Sequence, residues 1–126
     1  MTESDDTNPK DLHGAAKPSI GLIPPAALIY MSKAMQHGAG KYGSYNWREK
    51  AVRSTIYVDA AMRHLLRYLD GEDTDTDSGV PHIAHVAACM AVLMDATAVG
   101  NLKDDRPVPG PASRLIEELT EATDVH

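Results

Sequence analysis

An all-α fold, a helical bundle of about four helices, is what the sequence predicts, and three observations predict it. Hydrophobic residues make up 43% of the chain but aromatics only 5%, with no Phe. A core must then come from Ala, Leu, Met, Val and Ile, a palette that favours helices over strands. Apolar residues recur at spacings of three and four in several stretches, the period of a helix face. Proline and glycine punctuate those stretches where helices start and stop.

Taken in order, residues 1–16 (MTESDDTNPKDLHGAA) are polar, acidic and without period, and read as a flexible tail. Lys17-Pro18-Ser19 leads into a short apolar piece, and Pro24-Pro25 announces a helix from Ala26 to His37, with Leu28, Met31, Ala34 and Met35 inward and Gly38 and Gly40 as its stop. The stretch Gly40 to Arg48 (GKYGSYNWR) is dense in side chains that recognise ligands. It is not a phosphate-binding P-loop, because Met35 and Tyr42 stand where that pattern needs Gly and Ser or Thr. It reads either as an ordered loop with Trp47 packed on the core, or as a recognition loop in which Trp47 or Tyr42 stacks on a base and Lys41 or Arg48 meets phosphate.

Ser54 can cap a second helix running to about Leu69, with Val58, Ala61, Met62, Leu65 and Leu69 as its apolar stripe. Gly71 ends it. Asp77 or Ser78 can cap a third helix, with Pro81 in its first turn, running to about Val99. Ile83, Val86, Ala87, Met90 and Met94 read as its inner stripe. It is apolar nearly all round, which suits a central helix or an oligomer contact. Residues 100–111 read as a linker and Ala112 to Ala122 as a short amphipathic helix. The expected organisation is a tail over 1–16, a helical domain over 17–100, and a linker with a C-terminal helix over 101–126.

The formal net charge of −6 argues against broad nucleic-acid binding, which needs a basic face, but leaves room for a phosphate-bearing small molecule. The single cysteine, Cys89, allows no intramolecular disulfide and reads as a small buried side chain. The N-terminus has no signal-peptide pattern, and no apolar run nears the ~20 residues that span a membrane. The expected setting is a reducing cytoplasm.

Titratable groups gather where the second and third helices meet. Asp59, Arg63, His64, Arg67 and Asp70 precede an acidic turn bearing Glu72, Asp73, Asp75 and Asp77, and His82 and His85 follow it, three apart and so on one helix face. The turn is not a calcium-binding loop: its glycine comes one place late and Ala84 occupies the position that needs glutamate. Four crowded acids repel unless solvated or bound to a cation. Imidazoles suit Mn, Zn or Fe, and carboxylates suit Mg and Mn. Acids, histidines and nearby Arg and Lys together are what metal-assisted phosphoryl chemistry asks for.

KPSIGLIPP, HGAGKYGSYNW, DAAMRHLLRYLDGED and DSGVPHIAHVAACMAVL, in this order, resemble the phage-type dATP/dGTP diphosphohydrolases, the MazZ-like group among the MazG-like all-α nucleotide pyrophosphohydrolases. The resemblance spans residues 17–97. It implies a homo-oligomeric helical bundle, either a dimer or a tetramer. It implies Mg2+- or Mn2+-dependent attack of water on a purine deoxynucleoside triphosphate, dGTP or also dATP, giving the monophosphate and pyrophosphate. In phages that replace adenine by 2-aminoadenine, the expected substrate is dGTP. The acidic EExxE and ExxD ligands of the general MazG pattern are missing: Arg63 to Arg67 and His82 to His85 stand at those places. Local chemistry therefore supplies the candidates. Metal donors are Asp59, Glu72, Asp73, His82 and His85. Catalytic groups are His64, Glu72, His82 and His85. Substrate contacts are Lys17, Lys41, Asn46, Trp47, Arg63 and Arg67. Two other functions remain open: a different metal phosphohydrolase on a helical scaffold, and a non-catalytic metal-binding module.

Overall fold

The computed structural model describes residues 8–122. Its order is α1 (Pro9–Ala15), a 3-10 turn (Ile20–Leu22), α2 (Pro25–Tyr42), α3 (Asn46–Glu49), β1 (Val52–Arg53), α4 (Ser54–Leu69), α5 (His82–Ala98), β2 (Leu102–Lys103) and α6 (Ala112–Leu119). The fold is all-α, with one two-stranded parallel sheet that pairs Val52 with Leu102 and Arg53 with Lys103. Helix α5 is the centre, packed against α4 and α2.

Several boundaries differ from those expected. Residues 1–7 of the expected tail lie outside the described residues, but Pro9–Ala15 is a helix whose first turn is capped by the Asn8 side chain, which accepts from the Lys10 N–H at 2.9 Å. Helix α2 runs through Gly38 and Gly40. Both keep a negative φ, so they can stay helical, and the helix ends at Gly43 where φ turns to 91°. Tyr45 follows with φ 55°, a left-handed residue that starts α3.

Ser54 opens α4 from inside the helix instead of capping it. The cap comes from far along the chain: Asp105 Oδ1 accepts the Thr55 N–H at 2.9 Å and the Ser54 hydroxyl at 3.0 Å, while Asp105 Oδ2 accepts the Thr55 hydroxyl at 2.6 Å. The expected linker thus contains β2 and the α4 cap.

The inner faces of α4 and α5 differ from those expected. Helix α5 turns Ala84, Ala88, Val92 and Ala96 inward, spaced by four, and leaves Ile83 and Met94 exposed. Helix α4 buries Ser54 and Ala61, while Met62, Leu65 and Leu69 face outward, Leu69 at 83% exposure. Small side chains let the helix axes approach closely, and that close seam wins over the larger apolar residues. Ala34, Val80, Ala84 and Ala88 form one buried cluster with Met31 and Met35 against it. Trp47, Val92 and Ala96 form another, flanked by Met35, Val52, Tyr57 and Leu102.

Asp95 ties α3 to α5. Its carboxylate accepts from the Trp47 indole N–H at 2.7 Å and from Arg48 Nε at 2.9 Å and Nη2 at 3.0 Å. The Arg48 and Trp47 hydrogen bonds hold the Asp95 carboxyl down to about 2. A depressed folded value means this contribution is fully present above the ordinary carboxylate range near 3.8 and is lost as pH falls toward about 2. Urea unfolding at pH 5 and pH 3 should show a smaller loss of stability on acidification in Asp95→Asn than in the wild type. Equal losses would remove Asp95 from the acid response.

Candidate metal centre

Three segments converge at the junction of α4 and α5. Gly71, at φ 102°, lets the chain reverse after α4. The turn then closes on itself: the Asp75 N–H donates to the Val80 carbonyl at 2.9 Å, the Gly79 N–H to the Asp75 carbonyl at 2.8 Å, and Thr74 bridges Pro81 in antiparallel fashion. Asp75 Oδ1 accepts the Asp77 N–H at 2.8 Å, which leaves Oδ2 aimed at His64 Nδ1, 3.8 Å away, and His85 Nε2, 4.0 Å away.

His82 begins α5 and is completely buried. Its backbone N–H donates to the Asp73 carbonyl at 2.9 Å. Its ring bridges two partners, with Nε2 2.6 Å from Glu72 Oε1 and Nδ1 2.8 Å from His64 Nδ1. His85 stacks on His64 with centroids 4.6 Å apart, and its Nε2 lies 2.6 Å from the Ser78 hydroxyl. His37, from α2, meets the edge of His85. Among the described residues, His64, Asp75 and His82 can each offer one ligand atom with all three atoms within 4.8 Å of one another. Two imidazoles and a carboxylate in a partly buried corner are a donor set that fits a divalent ion.

The cluster borders an open cleft of about 1100 Å3 whose walls include His37, Lys41, Arg63, His64, Asp75 and His85, and further along the chain Tyr45, Asn46, Trp47 and Arg48. Lys41 stands 3.5 Å from Asp77. Burial pushes the His64 ring below its ordinary value, aided by His85 and opposed by Asp75. Burial lowers His85 in the same way, again against Asp75. Burial alone would raise Asp75, but the Asp77 N–H and the neighbouring His64 and His85 hold it below the usual carboxylate range. The site therefore favours a carboxylate facing neutral rings near pH 7.

The expected residues separate accordingly. His64, His82, His85 and Glu72 are brought together. Glu72 meets the far side of the His82 ring and lies outside the three-donor group, and Asp73 contributes its carbonyl to the His82 N–H. Asp59 is exposed and outside the group. Five residues before His64, it points about 140° away around α4. Arg63, Lys41, Asn46 and Trp47 line the cleft. Trp47, however, is buried at 6% exposure with its N–H given to Asp95, so it serves as a wall and leaves no open face for stacking. Arg67 is exposed and close enough to lower His64, and Lys17 is exposed and outside the cleft lining. Cys89 also lines the cleft, and burial pushes its thiol up, away from nucleophilic use. Asp75 and His37 were missed as site members. The one signal for Asp75 is its place before Asp77-Ser78-Gly79, a sequence suited to a side-chain-closed turn.

A helical protein with a mixed histidine–carboxylate centre on an open cleft is thus defined. The chain belongs to the family described as dATP/dGTP diphosphohydrolase, N-terminal, whose model matches residues 7–106. A dATP/dGTP diphosphohydrolase of Salmonella phage PMBT28 is 29% identical over 98 residues, covering 75% of this chain and 33% of the phage protein. The chain spans about a third of the length of that relative. No solved structure matches it. Among the described residues, no helix is long and apolar enough to cross a membrane.

Ring-proton NMR titration should place His64 and His85 below the ordinary histidine value of about 6.5. The folded rings resist protonation, so the stability they confer is present above that value and is lost as pH falls through it. Titration of both at or above 6.5 would contradict the buried, neutral pair.

Proposed function

We propose that the protein hydrolyses a purine deoxynucleoside triphosphate, dGTP and also dATP, between the α- and β-phosphates, yielding the monophosphate and pyrophosphate. The observation that carries this reading is the His64–Asp75–His82 group, of which His64 and Asp75 line a cleft together with Lys41 and Arg63, in a chain of this family. A divalent cation, Mg2+ or Mn2+, supplies neutralisation of phosphate charge and a lowered water pKa when bound.

The chain's own residues do the rest. His64, Asp75 and His82 hold the ion. Lys41 and Arg63 meet the remaining phosphate oxygens as the triphosphate enters. His85 is kept neutral by burial and braced by the Ser78 hydroxyl at 2.6 Å, and takes the proton of the attacking water. Water adds to the α-phosphorus, the bond to the bridging oxygen breaks, and pyrophosphate leaves with both electrons of that bond. Asn46 lies on the cleft wall, where an amide can read a purine edge.

The protein acts as a homodimer or homotetramer in the cytoplasm of a phage-infected cell, within phage purine nucleotide metabolism, including the 2-aminoadenine route where dGMP is consumed. Exposed Met62, Leu65, Leu66 and Leu69 on α4 support self-association.

The test is incubation of the protein with each deoxynucleoside triphosphate and Mg2+ or Mn2+, with and without chelator, followed by product analysis. Monophosphate and pyrophosphate, largest with dGTP and lost on chelation, are expected. Free phosphate or triphosphate would replace the reaction, and no turnover would overturn it. Asp75→Asn, which keeps the Oδ1 acceptor of the turn, should lower kcat by at least about 100-fold with the helical circular dichroism unchanged. Full activity in that variant would remove Asp75 from the site.

A further inference from the structure

The tautomers of two histidines bear on which ion the site takes. A carboxylate only accepts, so the 2.6 Å contact with Glu72 places the proton of a neutral His82 on Nε2. Its Nδ1 then presents a lone pair toward His64 Nδ1, 2.8 Å away. In the metal-free protein one proton on His64 Nδ1 can fill that gap. Two nitrogens that share an ion at about 2.1 Å each stand about 3 Å apart at a right angle. The separation of the two nitrogens is thus already close to that of a shared ion, and a tilt of the rings turns both lone pairs onto it. Asp75 Oδ2, 3.8 Å from His64 Nδ1, completes the set from a third segment. The two nitrogens come from rings that are nearly or fully buried, and the set contains a single carboxylate. Mg2+ prefers oxygen donors and gives up its waters reluctantly, whereas first-row transition ions accept imidazole readily.

We propose that His64 Nδ1, His82 Nδ1 and Asp75 Oδ2 form a binding site for a first-row transition ion of the Mn2+, Fe2+, Co2+ and Zn2+ class, with Mg2+ a poor occupant, and that Glu72 is a positioning residue acting through His82. This rests on the metal-dependent reading above and deepens it. It makes Glu72 a brace on a ligand, where a place among the ligands was expected. A carboxylate behind a metal-binding imidazole fixes the tautomer and raises the basicity of the ligating nitrogen. The half-exposed Glu72 side chain closes that brace from the solvent side of a fully buried ring.

The test uses the full chain stripped of metal and titrated with Co2+, read by calorimetry and by visible d–d absorption. One equivalent should bind with a new visible band, and Mg2+ in 100-fold excess should leave the band in place. His64→Ala should abolish it. Glu72→Ala should weaken Co2+ binding by about 10–100-fold and shift the band, whereas Glu72→Gln, which keeps an acceptor for the Nε2 proton, should stay within about threefold of the wild type. Displacement by Mg2+ at comparable concentration overturns the proposal, and this comparison uses wild-type protein alone. An unshifted band in Glu72→Ala overturns the role of Glu72. Nucleotide hydrolysis supported fully by Mg2+ in His64→Ala would sink this site and leave the hydrolase standing. One-equivalent Co2+ binding that withstands Mg2+, in a protein that turns over no nucleotide, would uphold the site and sink the hydrolase.

Discussion

The buried ring of His82 is the constraint on which the rest depends. It is a polar group with no exposure, and a buried polar group must be satisfied or it costs stability. Three partners satisfy it: the Asp73 carbonyl for the backbone, Glu72 for one ring nitrogen and His64 for the other. Those bonds fix how α4 is rotated about its axis, where α5 begins and how the acidic turn folds back. The outward display of Met62, Leu65 and Leu69 follows, because a helix that turns His64 to its neighbour cannot also turn those residues inward.

The seam between helices is correspondingly lean. Alanines carry it along α5, met by Ala34 from α2, with Ala61 buried on α4, and Trp47 is the one aromatic apolar side chain among the buried residues described. Such packing yields close axes but a modest transfer of apolar surface from water. Directional ties make up part of the difference, chiefly Asp95 with Trp47 and Arg48, and Asn101 Nδ2 with the Trp47 carbonyl at 2.6 Å.

The sequence made the helical class legible through composition and period, and it located α4 and α5 to within a few residues. It misread α2 because glycine stops a helix only where the backbone turns to positive φ, and Gly38 and Gly40 do not. It misread the inner faces because α5 is apolar nearly all round, so polarity cannot say which side packs. At the candidate site, histidine spacing pointed to the corner where His64, Asp75 and His82 come together. The hydrogen bonds of the turn, not its composition, single out Asp75 from its acidic neighbours. Asp59 was drawn in by being near in sequence while lying on another side of the helix. His37 could not be found by spacing, since it reaches the site from α2, far from the acidic turn in sequence.

The cap of α4 has a consequence for the order of events during synthesis. Thr55 and Asp105 lie 50 positions apart, and the parallel pairing of β1 with β2 closes nearly the same loop. Closing so long a loop carries an entropic cost that local helix contacts do not. As the chain emerges from its N-terminus, α2, α4 and α5 are all available before the segment that seals the first turn of α4. The helix start at Ser54 and Thr55 therefore lacks its side-chain cap until residue 105 has joined the fold.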